Sequence, residues 1–207
     1  VPLNLDFVQN RNLAFVLAFF AAFIYGISFT ISKDVMPLYI KPYGFILLRV
    51  SGALLLFWAV SFTIPYEKIE LIDFKKIILA SIFGVGLNML TFFKGLSLTT
   101  PINGAVMMIT SPILVMLFSY LILKEAMTKR KMTGVLLGLV GAALLIVLGK
   151  HAQVNAPNIK FGNFLVFVNA ASYSLYLIIA KGLLHKYHPI HFAKWMYLFG
   201  LFWVFPF

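Results

Sequence analysis

The sequence has no cysteine and few acids. Its 207 residues include no Cys and only 6 Asp and Glu. Without thiols there is no disulfide frame, no thiolate metal site and no cysteine nucleophile. Charge of either sign is sparse, 11% against 62% hydrophobic, and the mean hydropathy is +0.97. A soluble domain needs about a quarter of its residues charged to cover its surface, so this composition fits lipid as its solvent. Catalytic signatures are missing too. There is no His-Glu-x-x-His pair for an intramembrane metalloprotease and no Gly-Lys-Ser/Thr loop for ATP-driven transport. Gly26-Ile27-Ser28 is only a fragment of a Gly-x-Ser-x-Gly turn. His185, His188 and His191 are spaced three apart, but Pro189 interrupts any shared helical face. The reading is a protein that is not an enzyme, with no catalytic residues, no metal site and no cofactor.

Long apolar runs take the place of these features. A helix needs about 20 mostly apolar residues to cross a bilayer. Seven runs qualify, at 12–32, 42–64, 75–95, 101–123, 132–149, 163–184 and 191–207. They are too long and too continuous for the alternating strands of a barrel. The expected fold class is an all-α membrane protein. The net charge of +11 then acts as a topology signal. With the N-terminus in the cytoplasm, ten Lys and Arg fall on the cytoplasmic side and five (Lys33, Lys41, Lys94, Lys150, Lys160) on the other, while Arg49 and Lys194 lie inside helix ends. Basic residues favour the inside. The partners expected are the lipid bilayer of the cell's inner membrane and a small-molecule substrate, and not nucleic acid.

Shifting the sequence by 148 residues lays the first helix on the sixth. Tyr25 meets Tyr173, Lys33 meets Lys181, Tyr39 meets Tyr187 and Gly52 meets Gly200. Five spans separate the two equivalent helices, and five is odd, so they must cross the membrane in opposite senses. That is an inverted repeat, an architecture of many secondary transporters. Residues 1–150 form the first five-helix unit and 151–207 the opening of a second. The chain starts on Val1 and stops within "WMYLFGLFWVFPF", which reads as a fragment of a ten-helix whole.

Polar stripes run along four of the helices. The first carries Tyr25, Ser28 and Ser32; the third Gly84, Asn88, Thr91 and Gly95; the fourth Asn103, Met107, Thr110 and Leu114; the sixth Asn169, Ser172, Tyr173 and Tyr176. Taken singly, each stripe fits helix packing, since small and hydroxylic residues mediate close contact in lipid. Together they exceed what packing needs, and substrate sites sit near the midplane at repeat interfaces. The substrate-binding candidates are therefore Tyr25, Ser28, Asn88, Thr91, Asn103, Thr110, Asn169, Tyr173 and Tyr176. Arg49, Pro112 and Glu125 are structural or gating candidates. Pro112 removes a backbone donor in mid-span and should kink the fourth helix. Glu125 is placed for an interfacial salt bridge with Lys129. On the fifth helix, Gly134, Gly138 and Gly141 form a smooth face expected to be a packing seam. Asp34 and Glu125 lie at the edges of their spans, leaving no buried acid near the midplane. The substrate is accordingly expected to be neutral, zwitterionic or anionic.

Three stretches carry a resemblance. "YGISFTISK", "LLRVSGALLL" with Arg49, and "TTPINGAVMMITSPILVMLFSYLILKEAMTKRKMTGVLLGLVG" with Pro112, Glu125 and the three glycines resemble the EamA-type permeases of the drug/metabolite transporter superfamily. The resemblance implies ten helices in two inverted units around a central cavity, with export of amino acids or other small metabolites as the common activity. Two departures bear on substrate choice: Tyr25 stands where the family usually has Trp, and Ser172-Tyr173-Ser174 where it often has Trp-Ala. The function expected is secondary transport by alternating access. A seven-helix receptor or scaffold that moves nothing is the alternative.

Overall fold

A computed structural model describes residues 11–126, 128–148 and 156–207. Among these residues there are seven helical rods and no strand: α1 (Arg11–Leu38), α2 (Pro42–Ser61), α3 (Leu71–Leu98), α4 (Pro101–Leu123), α5 (Lys129–Leu148), α6 (Ile159–Lys186) and α7 (Pro189–Val204). Prolines and caps set the starts. Pro42, Pro101 and Pro189 each stand in the first turn of their helix, where the missing N–H costs nothing. Thr100 accepts from the backbone N–H of Asn103, and the Asn158 side chain accepts from that of Phe161. α4 ends on Lys124, whose φ of 56° is left-handed. That conformation turns the chain out of the helix.

Five of the rods are long and apolar enough to span a bilayer, against seven expected. α7 has 16 residues, about 24 Å at 1.5 Å per residue. Other helices outrun their expected ends. α1 continues past Ser32 to Leu38 because Lys33 is buried and donates to Leu96 O and Ser97 O, each at 3.0 Å.

α6 lies against α3 in the most extensive pairing, and α7 fills the space between α2 and α3. Lipid gives little drive for apolar helices to associate, so close packing and hydrogen bonds must hold them. A Cβ on Gly95 would come within 2.9 Å of Gly162 O, so α3 and α6 touch backbone to backbone. Thr99 Oγ1 donates to Asn163 Oδ1 at 2.6 Å beside that contact. The core includes Ile46 and Val50 of α2, Ile77, Val85 and Leu96 of α3, Leu183 of α6 and Phe192 of α7.

Contacts sort the connections into two ends of the bundle. At one end the α2–α3 segment meets the start of α7. Lys186 bonds Glu70 and Asp73, each at 2.7 Å, the Tyr187 hydroxyl donates to Asp73 Oδ2 at 2.8 Å, and the His188 N–H donates to Glu67 at 2.7 Å. His188 Nδ1 also caps α7, and His191 Nε2 lies 2.9 Å from Pro65 O. Lys181 meets Glu125 at this end, at 2.5 Å. At the other end stand the Lys33 and Thr99 contacts. This is the alternation that consecutive spans require.

The last residue of α6, Lys186, stands 148 residues after the last residue of α1, Leu38. α2 and α7 follow them with a proline in each first turn. The glycine face of α5, expected to be a packing seam, is open at Gly134 and Gly141. Gly138 meets only Ile109, at 4.0 Å, among the described residues.

Candidate functional site

A cavity of about 580 Å³ opens between α1, α2, α3, α4, α6 and α7. Local features of α3, α4 and α6 shape it.

α3 changes winding at Ile82–Gly86, where one turn is a π-helix. A π turn widens the backbone spiral and leaves carbonyls for outside donors. Ser172 Oγ of α6 donates to Phe83 O at 2.7 Å, and Asn169 Nδ2 donates to Asn88 O at 2.9 Å. α7 grips the same turn, with Trp203 Nε1 donating to Ser81 Oγ at 2.9 Å. Glycine is required at position 84: a Cβ there would lie 2.6 Å from Cδ2 of Tyr176. The Tyr176 ring thus rests on bare backbone at the edge of the cavity.

α4 is broken. It forms two helices, Pro101–Met108 and Ser111–Leu123, joined at Ile109 and Thr110. The N–H groups of those two residues bond three residues back, to Val106 O and Met107 O. Thr110 Oγ1 takes Met107 O as well, at 2.6 Å. Pro112 stands in the first turn of the second segment, where a kink within one continuous helix was expected. Ser174 Oγ of α6 reaches Ser111 O at 3.1 Å across the joint.

Of the substrate-binding candidates, Tyr25, Ser28, Asn88, Asn169, Tyr173 and Tyr176 line this cavity together, as do Arg49 and Pro112. Ser28 Oγ donates to Tyr25 O at 2.6 Å. The Tyr25 ring stands edge-on to Phe29, with centroids 5.2 Å apart, and Phe29 edge-on to Phe92 at 5.1 Å. Tyr173 and Tyr176 have centroids 5.9 Å apart. Two wall residues hold a buried polar atom with no partner among the described residues: Asn169 Oδ1 and Ser111 Oγ.

Three candidates lie off the wall. Thr91 is buried and its hydroxyl returns to Leu87 O at 2.7 Å. Asn103 is buried in the first turn of α4. Thr110 serves the α4 joint. Glu125 belongs to another crevice, of about 660 Å³, between α4, α5 and α6, whose wall is aliphatic apart from Ser119, Glu125, Arg130 and Lys181. There it meets Lys181, where Lys129 had been expected.

Sequence reasoning missed the α7 contribution, Met196 and Tyr197, and the α3 residues Met89, Phe92 and Phe93. A signal existed for Tyr197. The shift of 148 that pairs Tyr25 with Tyr173 also pairs Arg49 with Tyr197, and all four residues line the cavity. Arg49 and Tyr197 differ in type, so a search for identities passes over them.

Comparison with known proteins places this geometry in context. Residues 12–147 match the family model described as the EamA-like transporter family. The uncharacterized transporter YyaM of Bacillus subtilis is 29% identical over 124 residues, which are 59% of this chain and 40% of that protein. An uncharacterized transporter of Archaeoglobus fulgidus is 27% identical over 192 residues, 93% of this chain and 66% of its own length. An S-adenosylmethionine/S-adenosylhomocysteine transporter of Chlamydia muridarum is 31% identical over 148 residues, 69% of this chain and 45% of that protein. The chain thus spans less than two thirds of the length of these relatives. No solved structure matches it at a significant level.

Proposed function

The chain belongs to the EamA-like transporter family, and from that premise we propose that it is a secondary transporter that exports small metabolites such as amino acids across the cytoplasmic membrane by alternating access. Its N-terminus lies in the cytoplasm, and its two repeat units are inverted about the cavity. The substrate is neutral, zwitterionic or anionic and contacts Tyr25, Ser28, Asn88, Asn169, Tyr173 and Tyr176. Thr91, Asn103 and Thr110 act behind them by holding the backbone of α3 and α4. The Chlamydia relative is named for S-adenosylmethionine and S-adenosylhomocysteine; both carry an amino-acid head, which supports amino acids as substrates, while the sulfonium of the first adds a positive charge that the class stated here does not include.

One observation carries the reading: Tyr25 and Tyr173, equivalent under the shift of 148 residues, face one cavity from α1 and α6. A tyrosine suits a transport cavity because its ring packs on apolar substrate atoms while its hydroxyl takes a polar partner. The test is amino-acid efflux from cells expressing the intact protein. Tyr25→Ala and Tyr173→Ala should each lower efflux while leaving the membrane level unchanged. Leu137→Ala, on the exposed face of α5, should leave efflux alone. Wild-type efflux by both tyrosine variants for every substrate handled would refute the assignment.

A further inference from the structure

Arg49 is the one charged side chain on the cavity wall among the described residues. It stands within α2, at a depth where a cation needs a counter-charge. None of the described acids supplies one. Glu67, Glu70 and Asp73 are engaged with residues 186–188 at one end of the bundle. Glu125 is with Lys181 on the other crevice, and Asp34 is exposed and off the wall. What Arg49 has is an aromatic face, with its Cζ 5.6 Å from the Phe93 centroid. A ring face steadies a guanidinium but carries no charge to neutralise it. The side chain stays exposed.

The repeat makes the position informative. The pair Tyr25 and Tyr173 is the same residue on both sides of the cavity. The pair Arg49 and Tyr197 is not: α2 brings a cation where α7 brings a phenol. The wall thus carries one matched tyrosine pair and one position where α2 and α7 differ in charge. Such a wall fits an occupant with an apolar body and one anionic pole. Phe92, Phe93 and Met108 offer surface for the body. The planar fork of an arginine matches a carboxylate with two parallel hydrogen bonds.

We propose that Arg49 reads the charge of the substrate, and that the substrate carries a carboxylate which becomes the counter-ion of Arg49 on binding. The proposal rests on the cavity being the transport site, as inferred above. It turns Arg49 from a structural residue into a specificity determinant. It also excludes simple organic cations, which would meet a like charge on a wall without a described acid.

The test is counterflow by the intact protein in proteoliposomes, with L-phenylalanine, L-methionine and L-leucine each set against its carboxamide. The carboxamide keeps the body and the ammonium group and removes the negative charge. Wild type should move at least one of the acids, and its amide about tenfold more weakly or worse, since a site built for a polar group strongly rejects the analogue that lacks it. Arg49→Gln should lower transport of the acid and abolish the preference for acid over amide; Arg49→Lys should fall between. If Arg49→Gln fails to reach the membrane, the wild-type comparison of acid and amide decides alone. Equal transport of acid and amide, or undiminished transport by Arg49→Gln, overturns the proposal. A protein that moves tetraphenylphosphonium or other organic cations but no acid overturns it while leaving transport standing. One that moves none of these probes overturns the transport reading and the proposal with it.

Discussion

Asp73, at one end of the bundle, and Arg49, within α2, are charges treated in opposite ways. Asp73 is buried and surrounded by donors: Lys76 at 3.1 Å, Lys186 at 2.7 Å and the Tyr187 hydroxyl at 2.8 Å. Arg49 is exposed to a cavity over a ring face. The first arrangement is complete within the described residues and holds two hairpins together. Tyr187 is its hinge, because its hydroxyl also accepts the Glu70 N–H at 3.1 Å. Replacing Tyr187 by Phe removes a donor from Asp73 and an acceptor from Glu70 without changing shape. The expected cost is about 1–2 kcal/mol, read as a lower unfolding midpoint in detergent, with substrate preference unchanged. A midpoint equal to wild type would show that the network contributes nothing to stability.

Much at this scale was legible in the sequence. An arginine within an apolar run, a tyrosine at matching registers of two helices and a proline in the middle of the fourth apolar run all stand out without coordinates. Direction was not legible. From Asn88, a helical stripe can step by three to Thr91 or by four to Phe92. The cavity takes Met89, Phe92 and Phe93, so its face is centred toward the step of four, and Thr91 turns back onto its own helix. Polar residues at helical spacing name a face only once the neighbouring helices are placed.

At the scale of elements, the π turn of α3 and the break in α4 flank the cavity. Pro112 announced the second. Nothing in Ile82–Gly86 announced the first, because tertiary contacts favour it: Ser172 takes the Phe83 carbonyl, and Trp203 packs on Gly86 and bonds Ser81. Helix propensity has no entry for partners on α6 and α7. The π turn and the bare backbone at Gly84 together seat the Tyr176 ring, which gives a prediction for the element. In Gly84→Ala the new methyl group would overlap that ring at 2.6 Å, and a rigid ring cannot bend aside. Overpacking of this kind costs about 1–3 kcal/mol. Transport should fall more than membrane level does, because the ring is pushed toward the cavity. If Gly84→Ala transports as wild type does, Tyr176 has room to move and is no fixed part of the wall.

At the scale of the molecule, the repeat expected from the sequence is the feature on which the proposed function turns. In the sequence it is a handful of polar and glycine matches, and in the structure the ends of α1 and α6, Leu38 and Lys186, lie 148 residues apart. α1 and α6 nevertheless sit differently. α6 is packed along α3 and α4, while α1 touches its neighbours lightly and exposes most of its apolar side chains. The equivalent lysines differ in the same way: Lys33 is buried on the carbonyls that end α3, and Lys181 is exposed beside Glu125. The transport proposed above is by alternating access, in which a site at a repeat interface opens to each side of the membrane in turn.

The most direct test of that claim is the reactivity of one position from each side of the membrane. The chain has no cysteine, so Met89→Cys places a single thiol on the cavity wall at a residue not assigned a substrate contact. Sealed vesicles of both orientations would be treated with a membrane-impermeant maleimide, with and without a transported amino acid. The account predicts that the thiol reacts from both sides and that the amino acid slows both reactions. Reaction from one side only, unchanged by any transported amino acid, would contradict it.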